Sequence, residues 1–254
     1  MKQKTYVDGL VSVIMPCYNV NFHIKEAIQS VLEQSYSNLE LLIVDDASTN
    51  PMKNMISEFF NDKRVRFIQH SENQGVAIAR NTGLEKSKGR YVAFLDSDDL
   101  WHVDKLEKQL SFMNTYQLPF VYSGYEVIRK TSDNVINEIK VPEQLNYLNL
   151  LKNTIIGCLT VLIDREKTGY FKMPIISVGE DTATWLNILK KGYIAYGIQE
   201  PLAKYRVSEY TLSSNKWKMA KGTWKMYRST QSLRFLPTCF YFSCYVFNAV
   251  VKRI

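Results

Sequence analysis

The sequence is poor in the residues that build thiolate metal sites and disulfide frameworks. Its four cysteines are scattered and form no Cys-x-x-Cys pair, so neither a zinc site nor a disulfide scaffold is indicated. The three histidines show no metal-ligand spacing, and no Gly-x-Ser-x-Gly or Cys/His arrangement is present. Acyl-transfer chemistry is therefore not supported.

Motifs for two common nucleotide-binding loops are also missing. The sequence has no Gly-x-x-x-x-Gly-Lys-Ser/Thr loop and no Gly-x-Gly-x-x-Gly after its first predicted strand. A bound nucleotide would then be neither ATP in a P-loop nor NAD in a dinucleotide fold. The N-terminus is polar, and the apolar run at 11–15 ends at Pro16, too early for a signal-peptide core. We therefore expect a cytoplasmic protein.

The sequence does contain a regular alternation of strand and helix patterns. Short β-branched runs alternate with amphipathic stretches, which is typical of a mostly parallel sheet flanked by helices. With 254 residues and 46% hydrophobic content, one large α/β domain is expected. The predicted strands are 11–15, 39–44, 65–69, 91–95, 120–128 and 193–198. The predicted helices are 22–35, 51–60, 75–87, 103–115 and 180–191, and residues 130–178 show no regular pattern.

Three polar clusters begin where predicted parallel strands end, at 16–19, 45–48 and 96–99. In open α/β sheets, ligands bind outside the carboxyl ends of the strands. Three clusters on one edge of the sheet predict one shared ligand site.

The third cluster, Asp96-Ser97-Asp98-Asp99, brings carboxylates into one small volume. Like charges so close together need a cation or hydrogen-bond donors. Oxygen ligands without a nearby His or Cys favour Mg²⁺ or Mn²⁺, completed by phosphate oxygens. The alternative is a solvated acidic turn that caps the next helix.

Three other positions could take part in chemistry. Asp46 could accept a hydrogen bond from the imide N–H of uracil, or it could cap the next helix. Arg80 lies among small residues and could pair with a diphosphate or an acidic loop, although a surface position is the alternative. A carboxylate of Glu180-Asp181 could take the proton of an attacking hydroxyl, or serve as an acidic first helical turn.

In order and spacing, five motifs resemble the family 2 inverting glycosyltransferases of the GT-A fold. They are VSVIMPCYN, VDDAST, NQGVAIARNTG, FLDSDD and GEDTATW. The resemblance implies a GT-A-type nucleotide-sugar-binding domain at 1–214 and a helical C-terminal appendage at 215–254.

On the donor side, the resemblance assigns roles to residues of three motifs. Pro16, Tyr18 and Asn19 would line the nucleoside pocket, Asp46 would read the uracil, and Arg80 would lie near the donor.

The resemblance also assigns the acidic residues. Asp96, with Ser97 beside it, would contact ribose or water around the metal, while Asp98 would bind Mg²⁺ or Mn²⁺ and Asp99 could contribute a second ligand.

The acceptor side of the family's site matches the fifth motif. Asp181 would be the catalytic base, with Glu180 beside it near the acceptor. Some relatives carry a metal-contacting His after a Tyr-Arg pair, but Ser208 stands in that region here. The Gln-x-x-Arg-Trp motif of processive synthases is also missing, so we expect one sugar to be added per encounter.

These features predict transfer of a hexose from a UDP-sugar to a hydroxyl of a lipid-linked glycan. The resemblance suggests synthesis of a bacterial surface polysaccharide, such as an O-antigen or capsule, on polyprenyl diphosphate. Two alternatives are a polyprenyl-phosphate glycosyltransferase and a catalytically silent nucleotide-binding scaffold.

The basic charge is concentrated near the C-terminus. From Lys204 onward there are ten Lys or Arg residues and one acid, Glu209. A basic stripe beside an aromatic one suits an anionic membrane surface. The uncharged stretch at 235–251 is at the lower limit for a spanning helix. We expect a peripheral anchor on the inner face of the cell membrane, with a helix packed on the domain as the alternative, and no nucleic-acid partner.

Overall fold

The computed structural model describes residues 5–50, 52–129, 134–207 and 216–251. Its strands are β1 (Val7–Cys17), β2 (Leu39–Asp45), β3 (Val65–Gln69), β4 (Gly89–Phe94), β5 (Leu100–Trp101), β6 (Phe120–Arg129), β7 (Val135–Ile139), β8 (Gln144–Leu145), β9 (Leu162–Asp164) and β10 (Ala195–Val207). Its α-helices are α1 (His23–Leu32), α2 (Met52–Met55), α3 (Val76–Lys86), α4 (Lys105–Thr115), α5 (Tyr147–Lys152), α6 (Arg165–Thr168), α7 (Glu180–Leu189), α8 (Lys216–Ser229) and α9 (Phe235–Val251). Short 3-10 helices cover Ser57–Asn61 and Cys158–Thr160.

The described strands form a single sheet in the order β3-β2-β1-β4-β9-β6-β10-β5, with β7 beside β6 and β8 beside β10. Strands β1 to β4 pair in parallel, as do β6 and β10. The pairings of β5, β7, β8 and β9 are antiparallel. The predicted α/β fold with a mostly parallel central sheet is confirmed, with the antiparallel pairings confined to its second half.

Strand β1 shows why the sheet has a core on each face. Val11, Val13 and Met15 belong to one hydrophobic cluster, whereas Ile14 belongs to the other. Successive side chains of a strand point to opposite faces, so a strand covered on both sides needs apolar residues at nearly every position. The near-continuous apolar run of β1 meets that need.

Helix α3 lies unusually close to this strand. A Cβ on Gly83 would lie 2.4 Å from Cγ2 of Ile14, so only glycine fits at this contact. Arg80 lies three residues earlier, and residues three apart are neighbours on one face of a helix. The close packing therefore turns Arg80 inward, where it is 4% exposed.

The predicted helix at 51–60 is wrong as a continuous element. The chain forms the short helix α2, turns at Ile56 and continues as a 3-10 helix. Ile56 is fully buried, and Phe59 and Phe60 pack against the same core cluster. This packing requires the turn, and it overrides the helical pattern.

The last predicted strand, 193–198, is too short. Strand β10 continues to Val207 through Pro201, with shifts in its register against β6 on both sides of that proline. Proline cannot donate to a strand ladder, and irregular pairing accommodates it. The extension carries Arg206 to the edge of the sheet where the acidic loop lies.

The C-terminal segment is a hairpin of α8 and α9, as the predicted helical appendage implied. Its inner side packs on the domain: the Tyr227 hydroxyl donates to the Leu151 carbonyl, and Nδ2 of Asn248 donates to the Lys152 carbonyl at 2.9 Å. This inner side therefore matches the alternative drawn from the sequence, a helix packed on the domain. The predicted domain boundary at 214/215 lies outside the described residues.

The outer side of the hairpin is exposed and rich in aromatic residues. Trp217, Phe240 and Phe247 are 87%, 56% and 67% exposed. Among the described helices, none has the length and apolar character needed to cross a membrane.

Candidate active site

The loop after β1 is tied to the loop after β2. Oδ1 of Asn19 accepts hydrogen bonds from the backbone N–H and hydroxyl of Thr49, at 2.9 and 3.0 Å, and the Asn19 N–H donates to the Ser48 hydroxyl. Asn19 has a left-handed φ of 47°, which asparagine tolerates better than most residues. Pro16 is buried within β1, whereas the Tyr18 side chain is half exposed beside this junction.

The Asp46 carboxylate is held by groups of the chain itself. Its oxygens accept the backbone N–H groups of Gln74 and Gly75, the latter at 2.7 Å. Nδ1 of His70 lies 2.7 Å from Oδ1, and Nε2 of His70 lies 2.9 Å from the Thr82 hydroxyl. Asp46 thus fixes the loop that begins α3, and its side chain is only 4% exposed.

The acidic loop after β4 divides its carboxylates between the interior and the surface. Asp99 is buried and accepts the Arg206 N–H at 2.9 Å. Burial, reinforced by Asp96 and Asp98, raises the pKa of Asp99 well above its usual range. Asp98 and Ser97 are half-buried, and the Asp96 side chain is 38% exposed.

Arg206 supports this loop from the end of β10. Its NH1 donates to the Asp98 carbonyl at 3.3 Å, and its NH2 is paired with Glu26 of α1. The Arg206 side chain is fully buried. A buried guanidinium with several partners in fixed directions restrains the loop that it contacts.

Arg80 joins the acidic loop to the start of α7. Its NH2 donates to Asp96 and its NH1 donates to Glu180, both at 2.7 Å. Burial acts against its charge, but Asp96 and Glu180 raise the pKa of Arg80 well above its ordinary value. The guanidinium is therefore charged and holds two acidic segments together.

Asp181 is the second residue of α7, which begins at Glu180 and is preceded by Gly179. Gly179 has a left-handed φ of 76°, which starts the helix sharply. Oδ1 of Asp181 accepts the Thr182 N–H at 2.6 Å. Burial, together with the charge on Glu180, raises the pKa of Asp181 to about 6, although Arg80 opposes the shift. A carboxylate with such a pKa is suited to act as a general base near neutral pH.

A cavity of about 440 Å³ connects these groups. Five of the predicted site residues line it, namely Arg80, Asp96, Asp99, Glu180 and Asp181. The other six lie along the neighbouring edge of the sheet, outside its lining, namely Pro16, Tyr18, Asn19, Asp46, Ser97 and Asp98. The cavity thus contains Arg80 and four of the predicted carboxylates, whereas the residues predicted to line a nucleoside pocket lie outside its lining.

Several residues around this site carried no signal in the sequence. Glu26 and His70 support Arg206 and Asp46 from outside any of the motifs. Of the hairpin residues that line the cavity, Tyr245 also carried no signal, whereas Lys218 belongs to the basic stripe predicted from the sequence. A three-dimensional fold was needed to find these residues, because each lies far along the chain from the group that it serves.

The oxygen donors of the acidic loop fit a hard cation only in part. Within the described residues, no group of three or more His, Cys, Asp or Glu side chains is arranged to hold a metal ion. Mg²⁺ and Mn²⁺ are commonly held by one or two carboxylates and completed by phosphate oxygens. The loop can supply that smaller set.

The family is decided by sequence comparison. Residues 12–163 match the family described as Glycosyl transferase family 2. The chain belongs to this family. It is therefore a glycosyltransferase, as the resemblance of its five motifs implied.

Two relatives match this family 2 glycosyltransferase over most of its length. It is 48% identical to TuaG of Bacillus subtilis, named as a teichuronic acid biosynthesis glycosyltransferase, over 96% of this chain and 98% of the relative. It is 42% identical to WfgD of Escherichia coli over 85% of each chain. WfgD is named as a UDP-Glc:alpha-D-GlcNAc-diphosphoundecaprenol beta-1,3-glucosyltransferase.

Solved structures support the GT-A fold of this family 2 glycosyltransferase. TarS of S. aureus in complex with UDP-GlcNAc has a TM-score of 0.72 at 18% identity, covering 93% of this chain and 71% of that chain. The mannosyltransferase PcManGT of Pyrobaculum calidifontis, bound to GDP-Man and Mn²⁺, has a TM-score of 0.67 at 22% identity, covering 88% and 64%. The predicted GT-A-type architecture is confirmed.

Proposed function

We propose that this enzyme transfers a hexose from a UDP-sugar to a hydroxyl of a glycan carried on polyprenyl diphosphate, with inversion, in bacterial surface polysaccharide synthesis. The observation that carries the proposal is Asp181, a half-buried carboxylate with a pKa of about 6 in the cavity shared with Arg80 and Asp96. The names of the relatives WfgD and TuaG support the class of acceptor and the pathway.

Asp181 is the proposed general base of a single displacement. Its carboxylate takes the proton of the acceptor hydroxyl while the hydroxyl oxygen bonds to the anomeric carbon. The bond from that carbon to the diphosphate oxygen breaks, and UDP leaves with the electron pair. The Thr182 N–H holds one carboxylate oxygen and so orients the base.

Arg80 and Glu180 are the proposed link between the donor and acceptor sides. The guanidinium contacts Asp96 on the donor side and Glu180 beside the base. It keeps the two segments at a constant separation, and a displacement reaction depends on such alignment.

The proposed cofactor is Mg²⁺ or Mn²⁺, held by Asp98 with Asp99 as a second ligand and by the donor's phosphate oxygens. When bound, the cation would neutralise charge on the leaving diphosphate. The presence of Mn²⁺ in the PcManGT complex supports this class of ion.

The nucleoside is proposed to lie along Pro16, Tyr18 and Asn19, with Ser97 and Asp96 next to the ribose. Tyr18 offers a half-exposed aromatic ring for this purpose. The reading of uracil by Asp46 stays a prediction. Because His70 and the loop at 74–75 surround its carboxylate, that contact requires one of them to move aside.

An anionic membrane is the proposed second partner, with the enzyme lying on the inner face of the cell membrane. The outer side of the hairpin combines exposed Lys221 and Lys225 with the exposed rings of Trp217 and Phe240. Such a surface suits the membrane interface, where a lipid-linked acceptor is found. We propose that the enzyme adds one sugar per encounter.

The test is a panel of UDP-sugars with a synthetic lipid-diphosphate acceptor, with the product read by mass. We expect one added hexose, and loss of transfer on chelation or in folded Asp98→Ala and Asp181→Asn variants. Full activity in either variant would remove that residue from its role. A product with the sugar on a polyprenyl monophosphate would favour the first alternative, and UDP binding without turnover would favour a silent scaffold.

A further inference from the structure

The C-terminal hairpin forms part of the cavity that contains the base. Helix α8 lies directly against the loop before α7, where a Cβ on Gly222 would lie 2.6 Å from Cβ of Val178. Val178 is three residues before Asp181. The contact therefore sets the position of α8 relative to the catalytic base.

The two parts of the lining differ in chemistry. The acidic loop and α7 contribute carboxylates, namely Asp96, Asp99, Glu180 and Asp181. The hairpin contributes apolar, hydroxyl and basic groups, namely Lys218, Met219, Thr223, Met226 and Tyr245. An acceptor with a sugar, a diphosphate and a lipid presents a complement to each of these: hydroxyls for the hydroxyl groups, an anion for the basic group and a hydrocarbon chain for the apolar groups.

A diphosphate in this cavity needs a positive partner. Of the described residues that line it, Arg80 and Lys218 are the cations. Both terminal nitrogens of Arg80 are engaged by Asp96 and Glu180 within the protein. Lys218 is exposed near the start of α8, whereas Arg80 is only 4% exposed, so Lys218 is the more accessible of the two cations to an acceptor that enters from solvent.

We propose that the α8–α9 hairpin is the acceptor subsite and that Lys218 binds the diphosphate of the lipid-linked acceptor. The inference rests on the proposed function, because it requires a diphosphate acceptor. The acceptor sugar must reach Asp181, so its diphosphate lies within the next few bonds. Met219 and Tyr245 provide apolar surface beside it. Helix α9, which contributes Tyr245 to the cavity, also carries the exposed rings of Phe240 and Phe247.

The experiment uses the full-length enzyme and two water-soluble acceptors, a short-chain lipid diphosphate of the acceptor sugar and the uncharged alkyl glycoside of that sugar. Lys218→Met should raise KM for the diphosphate acceptor about tenfold to a hundredfold, the range for loss of one charge-assisted hydrogen bond. KM for the UDP-sugar and hydrolysis of the UDP-sugar by water should not change. Lys218→Arg should retain most of the affinity.

Arg234→Met is the matched control, because it removes one positive charge from the same hairpin outside the cavity lining. It should leave both KM values unchanged. An equal effect of Lys218→Met on both acceptors, or an equal effect of the two variants, would overturn the inference while transfer itself stands. If the unsubstituted enzyme transfers to neither acceptor, the proposed function fails, and the inference fails with it.

Discussion

At the scale of single residues, the raised pKa of Asp181 suits its proposed role as a general base but lowers the stability of the folded protein. Its pKa of about 6 in the folded protein exceeds the ordinary value of 3.8. Folding therefore favours the protonated carboxyl, and stability is lost as the pH rises from about 4 through about 6. The proposed role as general base, however, needs the ionised form.

We predict that kcat/KM falls as the pH drops below about 6, and that Asp181→Asn abolishes transfer while stabilising the fold. At neutral pH the gain should be about 1–3 kcal/mol, because the asparagine avoids a buried charge. Urea unfolding at pH 4 and pH 8 measures it, with the larger gain expected at pH 8.

Asp104→Asn is the control for this prediction. Lys108 lowers the pKa of Asp104, so replacing the charged Asp104 with asparagine should reduce the stability of the protein at neutral pH. A loss of stability in Asp181→Asn at pH 8 would contradict the assignment of a destabilised charge to this position.

The sequence predicted the acidic residues of the site but not the residues that hold them. Asp96 and Asp99 were identifiable because they follow an apolar strand. Glu26 pairs with Arg206, which lies 180 residues away along the chain. His70 contacts Asp46 directly, because His70 follows β3 and Asp46 follows β2, and these two strands are neighbours in the sheet. Such pairs depend on the order of strands in the sheet, which local pattern does not reveal.

At the scale of elements, the contact between α3 and β1 positions Arg80. We predict that Gly83→Ala destabilises the protein by about 1–3 kcal/mol, because the new methyl group overlaps Ile14 and forces the helix away from the sheet. The same displacement should move Arg80 away from Asp96 and Glu180. The kcat should therefore fall by more than is expected from the addition of one methyl group outside the cavity.

Thermal unfolding and steady-state kinetics test this prediction. Gly75→Ala is a useful comparison, because a Cβ there meets no atom within 4 Å and the cost arises only from its left-handed φ of 93°. An Ile14→Val change combined with Gly83→Ala should recover part of the stability by making room. No recovery would show that the cost has another origin.

The elements that the sequence predicted are those long enough to show a period. Helix α4 was predicted at 103–115 and is found at Lys105–Thr115, whereas the elements found within the described residues 134–178 are all short. Elements such as β8 and α6 have two and four residues. Such lengths are too short for a hydrophobic pattern to repeat, so the pattern cannot be recognised in the sequence. They form because the sheet and the core clusters hold them in place.

At the scale of the whole molecule, the site is assembled from both ends of the chain. The loops after the first parallel strands carry the proposed donor side, and α7 carries the proposed base. The hairpin completes the cavity. The motifs predicted the first two parts, but the contribution of the hairpin could not be predicted, because helical spacing shows which residues share a face and not what that face contacts.

The exposed outer side of the hairpin leads to a prediction about the intact enzyme. We expect it to bind vesicles containing anionic lipid and to bind neutral vesicles weakly, with binding reduced as salt rises from about 0.1 to about 0.5 M. The combined change Phe240→Ala and Phe247→Ala should lower the partition coefficient about tenfold, because two exposed rings no longer enter the interface.

Vesicle sedimentation measures this partition, and Tyr116→Ala provides the comparison because Tyr116 is a similarly exposed ring directly after α4. It should have no effect, since α4 lies outside the basic hairpin. Equal loss in Tyr116→Ala, or equal binding to neutral and anionic vesicles, would contradict a specific membrane-facing side. Kinetics with the soluble alkyl glycoside should be unaffected by the Phe240→Ala and Phe247→Ala changes, because these rings lie outside the cavity lining.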